Sequence, residues 1–521
     1  MEQEHRIVRL AKPVKKGLLR LIFSRVPVIA LLLALQVLIL LTVYSWLSRY
    51  LPHFAAGQAL FTAIMIVYLF NNRMDSSAKL TWMWIISFAP IPGTIFLLVT
   101  QRNWGHRKTR ERVEQIITAT KSELEQDKKV LSALEKDGSG TDDLARYLCR
   151  SGCFPIYDTT AVDYFPSGEE KFTAMLEELE KAEHFIYMEY FIIEEGEMWG
   201  EILDVLIRKA QAGVDVRVMY DGMCEIKQLP GNYRRLMAAK GIKTKAFAPI
   251  IPVVSSHYNY RDHRKILVID GKVAFNGGVN LADEYINRVE RFGHWKDTAV
   301  RLRGPAVRSF TLMFLQMWNL DEESPDFSAC HVPAEAEQAS GYVIPYGDCP
   351  LDEDKVGETV YMDILNRATD YVHIMTPYLI LDCEMETALK YAAQRGVDVK
   401  LILPGIPDKK AAYALAKTHY RALTDAGVKL YEYTPGFVHA KVFVSDDRKA
   451  VVGTINLDYR SLYHHFECAT YLYKTDCIPD IERDFHETLA KCRAVTAESI
   501  QKEKLSYKLL GGMMKFVAPL M

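Results

Sequence analysis

One phrase of the chain occurs twice, and few folds accommodate that. His263-Arg-Lys265-Ile-Leu-Val-Ile-Asp270 is followed after six residues by Gly277-Gly278-Val-Asn280. His439-Ala-Lys441-Val-Phe-Val-Ser-Asp446 is followed after six by Gly453-Thr454-Ile-Asn456, and the two histidines lie 176 residues apart. Upstream of each come the same elements in the same order. An apolar, aromatic, strand-like run (Phe185 to Ile193; Tyr371 to Leu379) leads to a helical stretch. A near-identical phrase follows, Ala212-Gly-Val-Asp-Val-Arg-Val218 or Arg395-Gly-Val-Asp-Val-Lys-Leu401. Strand, helix, glycine, strand is a βαβ unit. The pattern predicts two duplicated α/β halves, over 146–325 and 340–500, with the acidic Pro-, Ser- and Ala-rich stretch Asp321 to Gln338 as linker. Unrelated nucleotide folds alternate in the same way, so the duplication predicts architecture and not chemistry.

The chemistry lies in the repeated phrases. Alternation along a strand puts the His and Lys of each on one face, with the apolar residues behind them as a buried stem. Splitting a phosphodiester requires a nucleophile, a proton donor for the leaving alkoxide and positive charge around the phosphoryl oxygens. Two His and two Lys supply all three. An imidazole of pKa about 6.5 can be neutral in one copy and protonated in the other, as nucleophile and acid require. Each ring also needs its second nitrogen held, and aligning the repeats sets Asp297, in Trp295-Lys-Asp297, opposite Glu467, in Phe466-Glu467.

These residues resemble the phospholipase D superfamily, whose mark is HxKxxxxD followed by a Gly and Asn loop, and the likeness covers about residues 150 to 500. It implies two phospholipase D-like α/β sandwich halves forming one active site, with one histidine as nucleophile and the other as acid and base. The implied roles are proton and phosphoryl transfer for His263 and His439, and phosphate charge for Lys265 and Lys441. Asn280 and Asn456 would meet phosphoryl oxygens, and Asp297 and Glu467 would orient the histidines. Members in which the N-terminal motif supplies the nucleophile point to His263 for that part. Asp270 and Asp446 are the supporting carboxylates, either for chemistry or to tie down the loop at the far end of the strand.

Within the superfamily the chain is most similar to bacterial cardiolipin synthases. The likeness rests on Asn72-Arg-Met-Asp-Ser-Ser leading to Pro90-Ile-Pro-Gly93, on Asp283-Glu284-Tyr285, on Thr376-Pro377-Tyr378 and on Asn456-Leu-Asp-Tyr-Arg-Ser461. It implies the joining of two phosphatidylglycerols into cardiolipin with release of glycerol through a phosphohistidine. The same motifs also serve a hydrolytic phospholipase D or another phosphatidyltransferase, and a membrane-tethered scaffold with a degenerate site is the non-enzyme alternative. Two complete His-Lys pairs speak against the scaffold.

No cofactor is expected. Outside the motifs no clustered metal-ligand spacing appears, and neither GxxxxGK[ST] nor a convincing GxGxxG announces a nucleotide. A net charge of −2 lacks the basic surplus of a general nucleic-acid binder, and the resemblance implies phosphatidylglycerol and membrane lipid as partners; the oligomeric state stays open.

The first 105 residues read as a membrane anchor with two or three hydrophobic segments, at 26–48, 50–72 and 80–101. Basic residues crowd both flanks, so both ask to be cytoplasmic. Either one segment dips in and returns, with the Pro90 to Gly93 break making the third the first candidate, or the N-terminal arm lies outside despite its charge. The nine cysteines suggest no disulfide framework, and the expectation is a multi-pass protein of the bacterial cell membrane with its catalytic region in the cytoplasm. Residues 106–145 are expected to form a charged helix and a flexible hinge. The tail 501–521, alternating Lys504, Lys508 and Lys515 with Leu509, Met513 and Phe516, is expected to lie amphipathically on the membrane surface, or else to pack as an ordinary terminal helix.

Overall fold

Each half builds one mixed sheet on the same plan. The computed structural model describes residues 7–10, 35, 38, 39, 41–46, 54–72, 74–101, 107–249, 260–352 and 354–520. The first half contains β1 (Ala161–Phe165), β2 (Phe185–Tyr190), β3 (Asp215–Asp221), β4 (Lys243–Phe247), β5 (Arg261–Asp262), β6 (Lys265–Ile269), β7 (Val273–Gly277), β8 (His294–Lys296) and β9 (Ala299–Arg303). The second contains β10 (Tyr342–Asp348), β11 (Tyr371–Met375), β12 (Asp398–Pro404), β13 (Lys429–Tyr433), β14 (Gly436–Val438), β15 (Val442–Ser445), β16 (Lys449–Gly453), β17 (His465–Tyr473) and β18 (Cys492–Ala494). The sheet orders are β1-β9-β7-β6-β2-β3-β4 and β10-β17-β16-β15-β11-β12-β13-β18, so the halves correspond strand for strand and β18 extends the second.

The duplicated phrases explain the correspondence. β2 pairs parallel with β3, and β11 with β12, each through a crossover helix, Glu197–Gln211 or Cys383–Gln394. Each helix is followed by a glycine with positive φ, Gly213 at 94° and Gly396 at 96°, a conformation that costs glycine no Cβ clash. All six residues of β2 and all five of β6 are buried, which is why both read as unbroken apolar runs instead of alternating ones. A single large core continues from the first sheet across the seam into the second, with Ile266, Val268 and Phe314 in the same cluster as Tyr361, Phe443 and Val444.

Two small pairings stitch the halves together and matter most for the site. The start of β17 runs parallel to β5, with His465 opposite Arg261 and Phe466 opposite Asp262. At the corresponding place β14 runs parallel to β8, with Val438 opposite Lys296.

The region ahead of the sheets differs from expectation. In place of one charged helix there are two, Arg107–Thr120 and Lys128–Asp137, the second begun by Asp127, whose side chain accepts the Lys129 N–H. The expected hinge is tied down, since Asp137 binds Lys474 and the Tyr473 hydroxyl of the second half.

The expected membrane segments also change. Most of 26–48 lies outside the described residues. Among those described, no helix is long and apolar enough to cross a membrane. The helix within 50–72 is Phe54–Phe70, whose 17 residues reach about 26 Å, short of the roughly 30 Å hydrocarbon core. The third segment is two helices, Ser76–Phe88 and Pro90–Gln101, broken at Ala89 where proline cannot continue the hydrogen-bond ladder. They fold back on each other, with the Trp82 and Phe96 rings 5.4 Å apart where a straight helix would separate them by about 21 Å. The C-terminal helix Leu505–Val517 joins this assembly. Its Gly511 lies against the backbone of helix Lys410–Asp425, and the Phe516 carbonyl accepts the Thr81 hydroxyl at 2.8 Å.

Candidate active site

Both motif histidines stand at the seam, and each is held by the opposite half. The His263 N–H donates to the Phe466 carbonyl (2.9 Å), and the His439 N–H to the Lys296 carbonyl (2.7 Å). The next residue along each of those strands is the carboxylate that takes the ring. Nδ1 of His263 lies 2.9 Å from both oxygens of Glu467, and Nδ1 of His439 lies 2.6 Å from Oδ2 of Asp297. The pairing is therefore crossed, and neither half completes a histidine-carboxylate pair alone. With Nδ1 engaged, Nε2 of each ring is the nitrogen left for chemistry.

Asp297 reaches His439 because Gly278 leaves room: a Cβ there would lie 2.0 Å from Asp297 Oδ1. The corresponding Thr454 fills that space in the other half. Its hydroxyl is hydrogen-bonded to Glu467 Oε2 and to the Cys468 carbonyl (3.0 Å).

The two carboxylates differ electrostatically. Burial raises the Asp297 pKa, but the charges of His439 and Lys441 and the bonds from His439 and Thr298 outweigh it, leaving it below the ordinary carboxylate value. Burial raises Glu467 well above that value, with Lys265 and the Thr454 bond only partly opposing. Glu467 accepts on both oxygens, from the Thr454 hydroxyl at Oε2 and from His263 Nδ1, while Thr454 Oγ1 in turn accepts the Cys468 N–H at 3.0 Å.

Burial, then Lys265, lowers the His263 pKa well below the usual value; burial, then Lys441, lowers that of His439 to about 4. Without a bound anion, burial and the lysines favour the neutral form of both rings.

The lysines are equally buried. Lys265 Nζ donates to the His263 carbonyl at 2.6 Å, and Lys441 makes the same bond to His439. Burial lowers Lys265 to about 8, opposed by Glu467, and Lys441 to about 7, opposed by Asp297.

Asn280 is fixed, its Nδ2 donating to the Tyr285 hydroxyl (2.7 Å) and its Oδ1 accepting the Ile192 N–H (3.1 Å). Asn456 is buried with its Oδ1 unpaired among the described residues.

Asp270 and Asp446 lie elsewhere. Asp270 accepts the N–H groups of Glu183, His184 and Phe185 at 2.8 Å each, and Asp446 those of Thr369, Asp370 and Tyr371 at 2.9 to 3.0 Å. Each stands five residues beyond its lysine, about 16 Å along the strand direction. Of the two readings that the sequence allowed, these bonds match the loop tie.

Several residues at the site carried no repeat signal. Lys171, on helix Gly168–Glu180, is buried with Nζ 3.1 Å from the Tyr190 hydroxyl. Burial lowers its pKa to about 7, opposed by Asp297 and reinforced by Lys265. Phe191 packs edge-on against His263 at 4.9 Å, and Tyr285 likewise against His439 at 5.4 Å. Among the described residues His263, His465 and Glu467 form one of three groups whose ligand atoms are close enough to hold a metal, though Lys265 and Lys441 oppose a cation there.

The family model described as cardiolipin synthase, PLD-like domain, matches residues 175–318 and 361–489, which bracket both motifs. An uncharacterised protein of Streptococcus mutans serotype c is 59% identical over 457 residues, covering 88% of this chain and 99% of that one. A cardiolipin synthase of Geobacillus kaustophilus is 33% identical over 463 residues, covering 88% and 91%. The crystal structure of phosphatidylserine synthase from Haemophilus influenzae Rd KW20 superposes with a TM-score of 0.57 over 73% of this chain and 97% of that one; at 14% identity the likeness is one of fold. This chain belongs to the cardiolipin synthase family of phospholipase D-like proteins.

Proposed function

We propose that the protein joins two phosphatidylglycerol molecules into cardiolipin and glycerol, through a phosphatidyl group held on His263. The crossed histidine-carboxylate pairing carries this reading, because it brings two imidazoles and two lysines to one cleft while leaving both Nε2 atoms available. In the first step His263 Nε2 attacks phosphorus, the bond to the glycerol oxygen breaks, and His439 gives that oxygen a proton. In the second His439 takes the proton of the acceptor's hydroxyl, whose oxygen displaces His263. The ionised Asp297 supports an imidazolium at His439, the acid. The Glu467 carboxyl, raised well above its ordinary value, suits at His263 a ring that attacks while neutral.

The buried Lys265 and Lys441 supply charge at the phosphoryl oxygens, so the reaction is expected to run without a metal. Thin-layer separation of products from labelled phosphatidylglycerol, with EDTA present, tests both points. Cardiolipin with glycerol is expected. Phosphatidic acid in its place makes the enzyme a hydrolase, and loss of activity restored only by a divalent ion removes the lysine mechanism.

We further propose that the catalytic region meets the cytoplasmic leaflet through one apolar face. Leu80, Trp84 and Phe88 of the N-terminal helices and Leu505, Leu509 and Met513 of the C-terminal helix are all more than half exposed, and the two groups are joined where Trp84 and Phe516 meet at 6.0 Å. The basic residues after the third segment and the free state of all nine cysteines support the cytoplasmic side. In a cysteine-free background, Asp137→Cys is expected to resist an impermeant maleimide in intact cells, and strong labelling puts the enzyme outside.

A further inference from the structure

The repeat sets a ring two residues ahead of each orienting carboxylate, Trp295 before Asp297 and His465 before Glu467. Each ring lies 5.4 Å from the histidine which that carboxylate holds, Trp295 from His439 at 43° and His465 from His263 at 41°. Equivalent placement exposes a difference in chemistry. On the His439 side the ring is an indole packed with Tyr285 and Phe437 at 4.7 and 4.9 Å. On the His263 side it is an imidazole only 8% exposed, and neither of its nitrogens has a hydrogen-bond partner among the described residues. The nearest carboxylate oxygen, Glu467 Oε1, is 3.6 Å from Nδ1, beyond hydrogen-bond reach. A buried donor and acceptor left open beside a nucleophile cost free energy that a polar ligand recovers.

The surroundings of His465 are cationic. The His464 N–H donates to the Arg460 carbonyl at 2.9 Å, which sets these two residues one helical turn apart on one side of the loop. Arg460 is exposed and has no ion-pair partner among the described residues. Across the seam Arg261 is the register partner of His465, and the Tyr260 ring lies 6.3 Å from His464. The facing carboxylates are already engaged, Asp221 with Arg261, Glu467 with His263, and Asp458, which caps the helix that carries Arg460, with the Ser461 N–H at 2.8 Å. At the corresponding place in the first half stand Asp283, which accepts the N–H groups of Glu197 and Met198, and Glu284, paired with Arg291. The positive groups that act on His465 are thus Arg460, His464, Lys265 and Arg261, all on the His263 side.

We propose that His465, with Arg460 and His464, forms a second phosphate subsite that seats the acceptor lipid's own phosphodiester while its hydroxyl reaches the phosphoryl group on His263. This rests on the transfer reaction proposed above. A phosphatidylglycerol acceptor brings a second phosphate into the cleft, whereas water or a simple alcohol brings none. An imidazole N–H and a guanidinium are donors matched to that anion. The subsite therefore favours a lipid acceptor over water. Bonds balance as before: the acceptor oxygen gains phosphorus, His263 loses it, and the hydroxyl proton passes to His439.

The test compares wild type with His465→Phe and Arg460→Gln in mixed micelles of phosphatidylglycerol with glycerol as a competing neutral acceptor. Arg460 is exposed, so its variant leaves the core intact. The preference for phosphatidylglycerol over water and glycerol is expected to fall about tenfold in either variant. Inorganic phosphate, expected to compete with the acceptor in wild type, should inhibit both variants less. Unchanged product ratios in both variants, or equal loss towards every acceptor, overturn the subsite. Weaker inhibition by phosphate with unchanged ratios shows a site for free phosphate and overturns the acceptor assignment. A wild type that makes no cardiolipin removes the transfer reading itself, which these outcomes keep distinct.

Discussion

Alanine at His263 is expected to abolish both cardiolipin formation, by about 10⁴-fold or more, and covalent capture of labelled phosphatidyl groups, while alanine at His439 abolishes turnover but leaves a label on the protein. The two imidazoles are related by the repeat, so the difference must come from what stands behind each ring. Behind His439 is a carboxylate held below its ordinary pKa, able to share the charge of an imidazolium. Behind His263 is a buried carboxyl pushed well above it, which offers hydrogen bonds but little charge. The first suits proton transfer to a leaving alkoxide, the second a ring that must attack while neutral. The His439→Ala variant is the more informative. It lacks the acid for the first step, so its label should build slowly over a long incubation, and without a base to activate the acceptor it should then persist. Mass spectrometry of the labelled peptide locates it. A label retained in His263→Ala and absent from His439→Ala exchanges the two parts.

What the chain alone makes legible follows the repeat. The strands, the crossover glycines Gly213 and Gly396, and the opposition of Asp297 to Glu467 are fixed by local backbone demands that both halves obey, and two copies of one pattern expose them. Properties that arise only where the halves meet had no such signal. Which carboxylate serves which histidine depends on the pairings of β5 with β17 and β8 with β14, each between strands of different halves. Lys171 and His465 have no counterpart of their own kind at the matching position, so alignment of the repeats passes over them. Asp270 and Asp446 show the converse. A repeated carboxylate reads as chemistry, yet both copies serve the same turn, whose three backbone N–H groups need an acceptor in each half. Hydropathy alone runs through 80–101, but Pro90 and Gly93 mark in the sequence the place where the two helices divide.

Replacing Asp297 by asparagine is expected to cost about 10³ to 10⁴-fold in kcat/KM, and replacing Glu467 by glutamine no more than about tenfold. Each change removes a titratable carboxyl and keeps its shape. At Asp297 the loss is of charge: the aspartate accepts Nδ1–H of His439 through Oδ2 and the Thr298 N–H through Oδ1, so both its oxygens act as acceptors. An amide cannot accept on both sides. It either loses the Thr298 bond or turns its NH2 towards Nδ1, which forces the ring into the tautomer with its proton on Nε2 and in either case withdraws the countercharge of the imidazolium. At Glu467 the bonds run differently. The Thr454 hydroxyl can turn its proton to the Cys468 carbonyl, so a glutamine NH2 donates to that hydroxyl while its carbonyl accepts the His263 Nδ1–H, and tautomer and orientation both survive. Steady-state assays of both variants on phosphatidylglycerol micelles, with circular dichroism melts to exclude unfolding, read the comparison directly. Losses of similar size in folded proteins mean that Glu467 is ionised and that the two histidines are electrostatically alike. A larger loss at Glu467 moves the acid to His263.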